Sequence, residues 1–328
     1  MELDKEMDAA REALAGVENE VRKVIVGQTA TLATLVSSVV VGGHVLLEGV
    51  PGLGKTLMVK TLKEVLRLNY ARIQFTPDLM PADITGTNVI DVRGGGAKEY
   101  RFEPGPVFTH LLLADEINRA SPKTQSALLQ AMEEREVTVF GRHFPLEEPF
   151  SVIATQNPLE FEGTYPLPEA QLDRFLCKMI VTSPDLQELK EIALRTTGEE
   201  AVHPAAVLER DGLLSMRKLI CRIPVAAPVL DFAARLIRAT HPENPDAPAI
   251  VRKYVRYGAS PRGLQGLLAL ARVESVRDRR FHVSREDVER LVLPVLRHRI
   301  LLTFEAQMEK IAVEDLLLEI ARNPGGKG

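Results

Sequence analysis

A glycine-rich segment behind a short apolar run is the feature that most constrains this chain. Val45 to Leu47 has the length and composition of a buried strand, and residues 49–56, Gly-Val-Pro-Gly-Leu-Gly-Lys-Thr, have the P-loop spacing of Gly, four residues, then Gly-Lys-Thr. Residues 57–66 show helical periodicity. A strand, a P-loop and a helix in this order predict an α/β fold with a nucleoside triphosphate site. A Gly/Pro turn without a ligand is the alternative, and the complete motif favours the site.

The residue types of this segment suit phosphate binding. Gly49, Gly52 and Gly54 lack Cβ, so backbone N–H groups can approach phosphate oxygens. Lys55 adds a positive charge for the β- and γ-phosphates, and Thr56 offers a hydroxyl to Mg²⁺. We expect ATP contacts from the whole segment and from the first residue after it: Gly49, Val50, Pro51, Gly52, Leu53, Gly54, Lys55, Thr56 and Leu57.

Composition narrows the class of protein. The chain has 328 residues, of which 45% are hydrophobic and 26% charged, the profile of a globular protein with one large or two ordinary domains. A net charge of −4 provides no global basic field for nucleic acid. Cys177 and Cys221 lack metal or redox spacing, and the longest apolar run is too short to span a bilayer. Because the start does not resemble a signal peptide, we expect a cytoplasmic protein without a transmembrane segment.

Periodicity divides the chain into two parts. Strands and helices alternate up to a boundary near residue 183, and helices alone follow, which predicts an α/β nucleotide-binding domain over 1–183 and an α-helical domain over 184–328. A β-like run is expected at Val24 to Gln28 and a loop from Pro77 to Pro81. The predicted strands are 45–47, 71–75, 111–116, 151–155 and 178–181, and the predicted helices are 4–24, 29–41, 57–66, 122–134, 186–196, 206–221, 228–240, 262–279, 285–297 and 313–321.

Two β-hairpins are predicted inside the first domain. Residues 89–92 and 99–102 flank a glycine-rich tip, Arg93 to Gly96. Residues 137–140 and 143–146 flank Gly141-Arg142 in the same way. A surface loop without strands is the alternative for the first of these segments.

Three polar side chains are expected at the carboxyl ends of strands, where open parallel sheets bind ligands. Asp115 can hold the Mg²⁺ hydration shell, and Glu116 can polarise an attacking water. An acidic helix N-cap is the alternative, and the upstream P-loop favours the catalytic interpretation. Asn157 ends a later strand, where its amide can orient water or bind the γ-phosphate. Without the other motifs, a turn residue before Pro158 would be the preferred interpretation of Asn157.

Two arginines complete the candidate set. Arg174 could stabilise the charge of phosphoryl transfer on a neighbouring subunit, or it could be a surface arginine paired with Asp173. Arg262 could reach phosphate or only cover a helix surface. Residues 250–300 contain 12 Lys/Arg and 5 Asp/Glu. This basic excess suits a solvated face, a contact with a neighbouring subunit's nucleotide, or DNA.

These motifs together resemble the MoxR family of AAA+ ATPases over nearly the whole chain. The similar stretches are 49–56, 113–134, 153–158, 163–175 and 258–262, of which the second reads Leu-Ala-Asp-Glu-Ile-Asn-Arg-Ala-Ser-Pro-Lys-Thr-Gln-Ser-Ala-Leu-Leu-Gln-Ala-Met-Glu-Glu. The resemblance implies a P-loop three-layer αβα core with a parallel sheet. It also implies a helix-2-insert hairpin and a pre-sensor-1 hairpin, as in magnesium chelatase ATPase subunits and MCM-like ATPases, and an α-helical lid domain after the core.

The resemblance further implies roles for single residues. Val26 and Gly27 lie in the segment that contacts adenine in such proteins. The displaced lid of this clade would direct Arg262, which matches sensor 2, to a neighbouring subunit's nucleotide. Gly263 departs from expectation, since a better helix former is expected at a helix start. Lys55 and Thr56 match Walker A, and Asp115 and Glu116 match Walker B. Asn157 corresponds to sensor 1 and Arg174 to the arginine finger. The resemblance thus implies catalytic roles for Lys55, Glu116, Asn157 and Arg174, and metal coordination by Thr56 and Asp115.

The implied function is that of a hexameric ring that hydrolyses ATP with Mg²⁺ and acts as a chaperone on protein clients, together with von Willebrand factor A domain partner proteins. Nucleic acid is not an expected partner. Two other functions stay open: a nucleic-acid remodeller and an ATP-gated scaffold with slow hydrolysis. Stimulation of turnover by DNA that weakens steeply with salt would favour the first. Wild-type turnover no faster than that of Glu116→Gln would favour the second.

Overall fold

A five-stranded parallel sheet forms the centre of the fold. The computed structural model describes residues 2–92, 98–159, 163–197 and 202–322. The strands are β1 (Val45–Glu48), β2 (Tyr70–Gln74), β3 (Gly86–Val92), β4 (Lys98–Pro104), β5 (Leu111–Asp115), β6 (Glu136–Val139), β7 (Arg142–Pro145), β8 (Ser151–Gln156), β9 (Cys177–Ile180), β10 (Val255–Tyr257) and β11 (Leu301–Leu302). The central sheet has the order β2-β5-β8-β1-β9.

Helices cover both faces of the sheet and make up most of the C-terminal part. They are α1 (Glu2–Val24), α2 (Thr29–Val40), α3 (Lys55–Val65), α4 (Pro81–Thr85), α5 (Pro122–Glu134), α6 (Glu169–Leu172), α7 (Leu186–Thr196), α8 (Arg210–Cys221), α9 (Ala227–Ala239), α10 (Ala249–Tyr254), α11 (Pro261–Arg277), α12 (Arg285–Leu296), α13 (Phe304–Met308) and α14 (Val313–Arg322), with a 3₁₀ turn at Ile117–Arg119. Within the described residues, every helix is too short or too polar to span a bilayer.

Alternating side chains of the strands build two hydrophobic cores. Val45 and Leu47 belong to the core under α1, α2 and α3, whereas Leu46 belongs to the core under α5. This division follows from the strand period of two, because successive side chains point to opposite faces. The predicted three-layer αβα arrangement is therefore confirmed. The first core continues into the C-terminal helices, and the boundary near residue 183 stays a prediction.

The strand register collects the candidate residues at one edge of the sheet. Asp115 at the end of β5 pairs with Gln74 at the end of β2, and Gln156 at the end of β8 pairs with Glu48 at the end of β1. The loop after β1 is the P-loop. The carboxyl ends of four neighbouring strands therefore surround it, as the sequence predicts.

Both predicted hairpins are present. Strands β3 and β4 pair antiparallel, as do β6 and β7. The rings of Phe102 on β4 and Phe144 on β7 stack with centroids 4.0 Å apart, so the two hairpins contact each other. The glycine-rich tip predicted at 93–96 lies outside the described residues.

Three local predictions are wrong. Val24 to Gln28 is not a strand: α1 continues to Val24, and Gly27 and Gln28 turn the chain with φ of +68° and +52°. Pro81 does not prolong a loop but begins α4, because proline fits the first turn of a helix. The predicted helix over 206–221 begins only at Arg210.

The C-terminal part is not made of helices alone. Strands β10 and β11 form a short antiparallel pair, and α10 and α13 were not expected. Gly263 does not disturb the helix start, since α11 begins at Pro261 behind the N-cap Ser260. A Cβ on Gly263 would lie 3.0 Å from Leu296 Cδ2, so the glycine lets α11 approach α12 closely.

Candidate functional site

The P-loop takes a conformation that requires glycine at two positions. Gly52 and Gly54 have φ of +84° and +77°, a region that other residues rarely adopt. A Cβ at either position would meet no atom within 4 Å, so backbone conformation rather than space demands glycine. Gly54 is the N-cap of α3, which begins at Lys55. The positive end of this helix dipole therefore lies at the loop, where it favours an anion.

The Lys55 ammonium lies against the loop that carries it. Its Nζ donates to the carbonyl oxygens of Gly49 at 2.5 Å and of Val50 at 2.8 Å. Burial lowers the pKa of Lys55 from its ordinary value, while Asp115 and Glu116 act in the opposite direction. The Lys55 side chain therefore lies at the loop and near Asp115 and Glu116, where phosphate oxygens could replace its contacts with the two carbonyl oxygens.

Thr56 and Asp115 form a pair of oxygen ligands suited to Mg²⁺. Thr56 Oγ1 donates to Asp115 Oδ2 at 3.3 Å, and the Asp115 side chain is only 11% exposed. Among the described residues, no cluster of three or more His, Cys, Asp or Glu could hold a metal without other ligands. Mg²⁺ binds through one or two protein oxygens together with substrate phosphates and water. The predicted metal residues therefore fit this ion.

Sequence reasoning missed Arg72, which contacts the same carboxylate. Arg72 on β2 donates to Asp115 Oδ2 from Nε at 3.2 Å and from Nη2 at 2.8 Å. Thr155 on β8, also missed, donates its hydroxyl to Asp115 Oδ1 at 2.6 Å. Both oxygens of Asp115 are therefore hydrogen-bonded, and a cation at Oδ2 would compete with the guanidinium of Arg72.

Glu116 is held in an unusual backbone conformation. Its φ of +58° is in the left-handed region, and its N–H donates to Thr155 Oγ1 at 2.8 Å. Its Oε2 accepts from Gln74 Nε2 at 2.9 Å and from Arg119 Nη1 at 3.1 Å. Strained residues of this kind cluster at functional sites. The hydroxyl of Thr155 consequently fixes both acidic residues, one through its oxygen and one through its hydrogen.

A cavity of about 390 Å³ brings Lys55, Glu116 and Asn157 together with most of the P-loop. Asn157 lines it with 6% of its surface exposed, and its Oδ1 accepts from the N–H of Leu159 at 3.1 Å, which leaves Nδ2 as the donor that this amide offers. The described residues that line the cavity are Pro51, Gly52, Gly54, Lys55, Thr56, Leu57, Arg72, Gln74, Asp115, Glu116, Thr155, Gln156 and Asn157.

An adjoining apolar cavity of about 570 Å³ extends from the other side of the P-loop. Val26, Leu53 and Leu57 line it, together with Leu189 and Ile192 of α7, which sequence reasoning missed. The two cavities share Gly52, Gly54 and Leu57. An apolar pocket beside a phosphate site suits a planar base such as adenine.

The segment around Gly27 closes one wall of the apolar cavity. The Gln28 side chain donates from Nε2 to the Thr182 carbonyl at 2.7 Å. A Cβ on Gly27 would come within 2.1 Å of Glu188 Oε1, so no larger residue fits unless Glu188 moves. The predicted adenine residues Val26 and Gly27 thus lie between α1 and α7, at the edge of this cavity.

Arg174 and Arg262 lie together in a third cavity, of about 350 Å³. Of the described residues that line it, none belongs to the P-loop, and neither arginine is among those lining the P-loop cavity. Arg174 follows α6, and Arg262 lies in the first turn of α11. The fold thus brings the two predicted arginines to each other but not to the phosphate site of the same chain.

Comparisons with known proteins match both parts of the chain. Residues 44–177 match the family model of the ATPase family associated with various cellular activities (AAA), and residues 247–320 match the AAA lid domain. The chain is 43% identical to Chaperone MoxR1 of Mycobacterium tuberculosis over 295 residues. This aligned region covers 90% of this chain and 77% of that protein. It is 31% identical over 321 residues to Protein MoxR of Methylorubrum extorquens, covering 92% of each.

A solved structure is similar over the same range. A crystal structure of a Cytophaga hutchinsonii protein described as an ATPase superposes with a TM-score of 0.90 at 37% identity, covering 97% of this chain and 96% of that one. The similarity therefore includes the central sheet, the P-loop and the C-terminal helices together.

Proposed function

Since this chain belongs to the MoxR family of AAA+ ATPases, we propose that it hydrolyses ATP with Mg²⁺ at the subunit interfaces of a ring and uses the cycle to remodel or activate protein clients. One observation carries the proposal. The residues that line the P-loop cavity and the pair of Arg174 and Arg262 belong to one chain but lie in separate cavities. A relative named as a chaperone supports the choice of protein clients.

The phosphate cavity supplies the first half of the reaction. Lys55 and the P-loop N–H groups bind the β- and γ-phosphates, and Thr56 with Asp115 would hold Mg²⁺, which neutralises developing charge. Glu116 orients and polarises the attacking water, with Asn157 as a donor at the same cavity. Gln74 of β2 and Arg119 of the 3₁₀ turn donate to Oε2 of Glu116 and so orient this carboxylate.

The arginine pair supplies the second half from the next subunit. Arg174 and Arg262 lie outside the P-loop cavity of their own chain, so a head-to-tail contact would bring them to a neighbour's γ-phosphate. Head-to-tail interfaces close into rings when the rotation between subunits allows it. We propose a hexamer and a separate von Willebrand factor A domain partner protein, both of which the resemblance to the MoxR family implies.

Replacing Arg174 tests the shared site. Arg174→Ala should lower turnover by about 10³- to 10⁵-fold, the contribution of an arginine finger, while ATP affinity stays within about threefold. Turnover would be measured by phosphate release, binding by a fluorescent ATP analogue, and ring size by native mass spectrometry. Normal turnover in an assembled Arg174→Ala sample would contradict the assignment.

The client is accessible through a trapped ATP state. Glu116→Gln should bind ATP without hydrolysing it and therefore hold ATP-dependent partners longest. An affinity pull-down with ATP, compared with the same pull-down with ADP, should enrich protein chains and not nucleic acid. Enrichment of DNA or RNA in the ATP sample would instead support a nucleic-acid remodeller.

A further inference from the structure

One carboxylate joins the two arginines of the third cavity. Glu133 lies in the last turn of α5. Its Oε2 accepts from Arg174 Nη2 at 2.8 Å, and its Oε1 accepts from Arg262 Nη2. The two arginines are 88 positions apart in sequence and approach Glu133 from different segments. A single side chain thus brings both guanidinium groups to the same point.

Helix α5 holds Arg174 by a second contact. Arg174 Nη1 donates to the carbonyl oxygen of Leu129 at 2.7 Å. Leu129 and Glu133 are four residues apart and therefore lie on one face of the helix. Both terminal nitrogens of Arg174 are consequently held against α5, and each of them carries a second N–H group that can donate to another acceptor.

The C-terminal helices fix the chain beside Arg174. Asp173 accepts from Ser260 Oγ at 2.8 Å and from Arg299 Nε at 2.8 Å. The Arg299 side chain is 3% exposed and also donates to the Phe175 carbonyl at 2.7 Å. Arg174 and Arg262 are therefore joined to the same C-terminal helices, and Glu133 is the contact from α5 that both of them share.

Charge explains why a shared carboxylate is useful at this position. Two guanidinium groups at one point repel each other, and a carboxylate between them offsets that repulsion. The cluster of Arg174, Arg262, Arg299, Glu133 and Asp173 keeps a positive excess, so an anion can still approach it. The Glu133 side chain is 37% exposed, so its pairs contribute little to stability.

We propose that Glu133 is a positioning residue, which holds Arg174 and Arg262 so that both reach the terminal phosphate of a nucleotide on the neighbouring subunit. This inference rests on the proposed function, because it assumes that the arginines act on a neighbour. Holding the two arginines is a role of the end of α5 that neither the P-loop nor the acidic pair of Asp115 and Glu116 supplies.

The neighbouring residue Glu134 provides a matched control. It lies on the same helix, is also exposed, and accepts from Gln130 Nε2 at 2.9 Å instead of from the arginines. Glu134→Gln makes the same chemical change one position away. Glu133→Asp keeps the charge but shortens the side chain, and its kcat should lie between those of wild type and Glu133→Gln.

The test measures kcat, KM, ATP affinity, thermal stability and ring size for these variants in the full chain. Glu133→Gln should lower kcat on the order of 10- to 100-fold, the effect of misplacing a reacting group by about 1 Å, with KM and ATP affinity within about twofold. Glu134→Gln should leave kcat, KM and ATP affinity within about twofold of wild type, with thermal stability and ring size unchanged. In an Arg262→Ala background, the effect of Glu133→Gln should shrink, because one of the two groups that it positions is already absent.

Three results would overturn the inference. They are a kcat of Glu133→Gln equal to that of wild type, a kcat above it, and loss of the ring in Glu133→Gln, since the last would make Glu133 an assembly contact. If Glu133→Gln fails to fold, the Glu133→Asp variant decides instead. Wild-type kcat and KM in Glu133→Asp would then overturn the inference. An inactive Arg174→Ala with a normal Glu133→Gln would reject this inference alone, whereas a fully active Arg174→Ala would reject the proposed function.

Discussion

Replacing Thr155 by valine tests how the two acidic residues are held. Thr155 is fully buried, and its hydroxyl contacts both of them: it donates to Asp115 Oδ1 at 2.6 Å and accepts from the Glu116 N–H at 2.8 Å. Valine keeps the branched shape and removes both hydrogen bonds. The substitution therefore removes hydrogen bonds while the shape of the side chain stays nearly the same.

The expected cost follows from these two contacts. Loss of a hydrogen bond to a charged group is worth about 1.5–3 kcal/mol, and a buried N–H left without an acceptor costs about 1–3 kcal/mol. Arg72 and Thr56 still contact Asp115 at Oδ2, which moderates the first loss. We expect Thr155→Val to lower the free energy of unfolding by about 2–4 kcal/mol in the nucleotide-free protein.

The effect on turnover should be larger than the effect on binding. Glu116 has a positive φ, a conformation that costs about 1–3 kcal/mol and persists only when its surroundings enforce it. Without Thr155 Oγ1, the Glu116 carboxylate should lose its orientation. We expect kcat to fall on the order of 10- to 100-fold and ATP affinity to change less than about threefold, since the P-loop is untouched.

Urea unfolding, phosphate release and binding of a fluorescent ATP analogue measure these quantities. Thr155→Ser is the control, because serine keeps the hydroxyl and should retain most of the stability and turnover. A Thr155→Val variant that unfolds at the same urea concentration as wild type and hydrolyses ATP at the same rate would contradict this role of Thr155.

Two further predictions concern buried titratable groups. Burial and the nearby Arg135 lower the pKa of His44 to about 3. The unfolded chain thus binds the proton first as pH falls, and stability, complete above about pH 6.5, should drop by about 2 kcal/mol between pH 6.5 and 5; urea unfolding of His44→Gln should lack this slope, and an equal slope would contradict it. Burial raises the pKa of the Cys177 thiol to about 11, so iodoacetamide should label Cys221 and not Cys177 in the folded chain; rapid labelling of Cys177, read by peptide mass spectrometry, would contradict this.

The local part of the site was predictable from sequence. The P-loop and the acidic pair are contiguous motifs, and their residue types and spacing carry the chemistry directly. Asp115, Glu116 and Asn157 follow apolar runs, and the parallel sheet then places them at one edge. The placement of these residues could be predicted because each lies in a short motif at the end of an apolar strand.

The missed residues come from neighbouring strands. Arg72 pairs opposite Leu113, and Thr155 pairs opposite Leu47, so their contacts with Asp115 depend on a strand register that one sequence does not show. A signal was present in β2, where Arg72 and Gln74 flank the buried Ile73 and must therefore share the opposite face.

The errors in secondary structure have physical causes. Pro77 and Pro81 predict a loop, but proline is also favoured in the first turn of a helix, and α4 begins at Pro81. Strands β10 and β11 contain three and two residues and are too short to show alternation. The run from Val24 to Gln28 is rich in β-branched residues, yet helix packing and the turn at Gly27 override that preference.

The central claim is that each hydrolysis site is shared between two subunits, and mixing two inactive variants tests it most directly. Glu116→Gln lacks the group that activates water, and Arg174→Ala lacks the arginine for the neighbour. In a ring with random mixing at equal concentrations, about one quarter of the interfaces combine an intact Glu116 with an intact Arg174. We expect turnover of the mixture to rise to roughly one quarter of the wild-type value, far above either variant alone, because head-to-tail interfaces restore complete sites. Turnover no higher than the mean of the two variants, with mixed rings verified by native mass spectrometry, would contradict it.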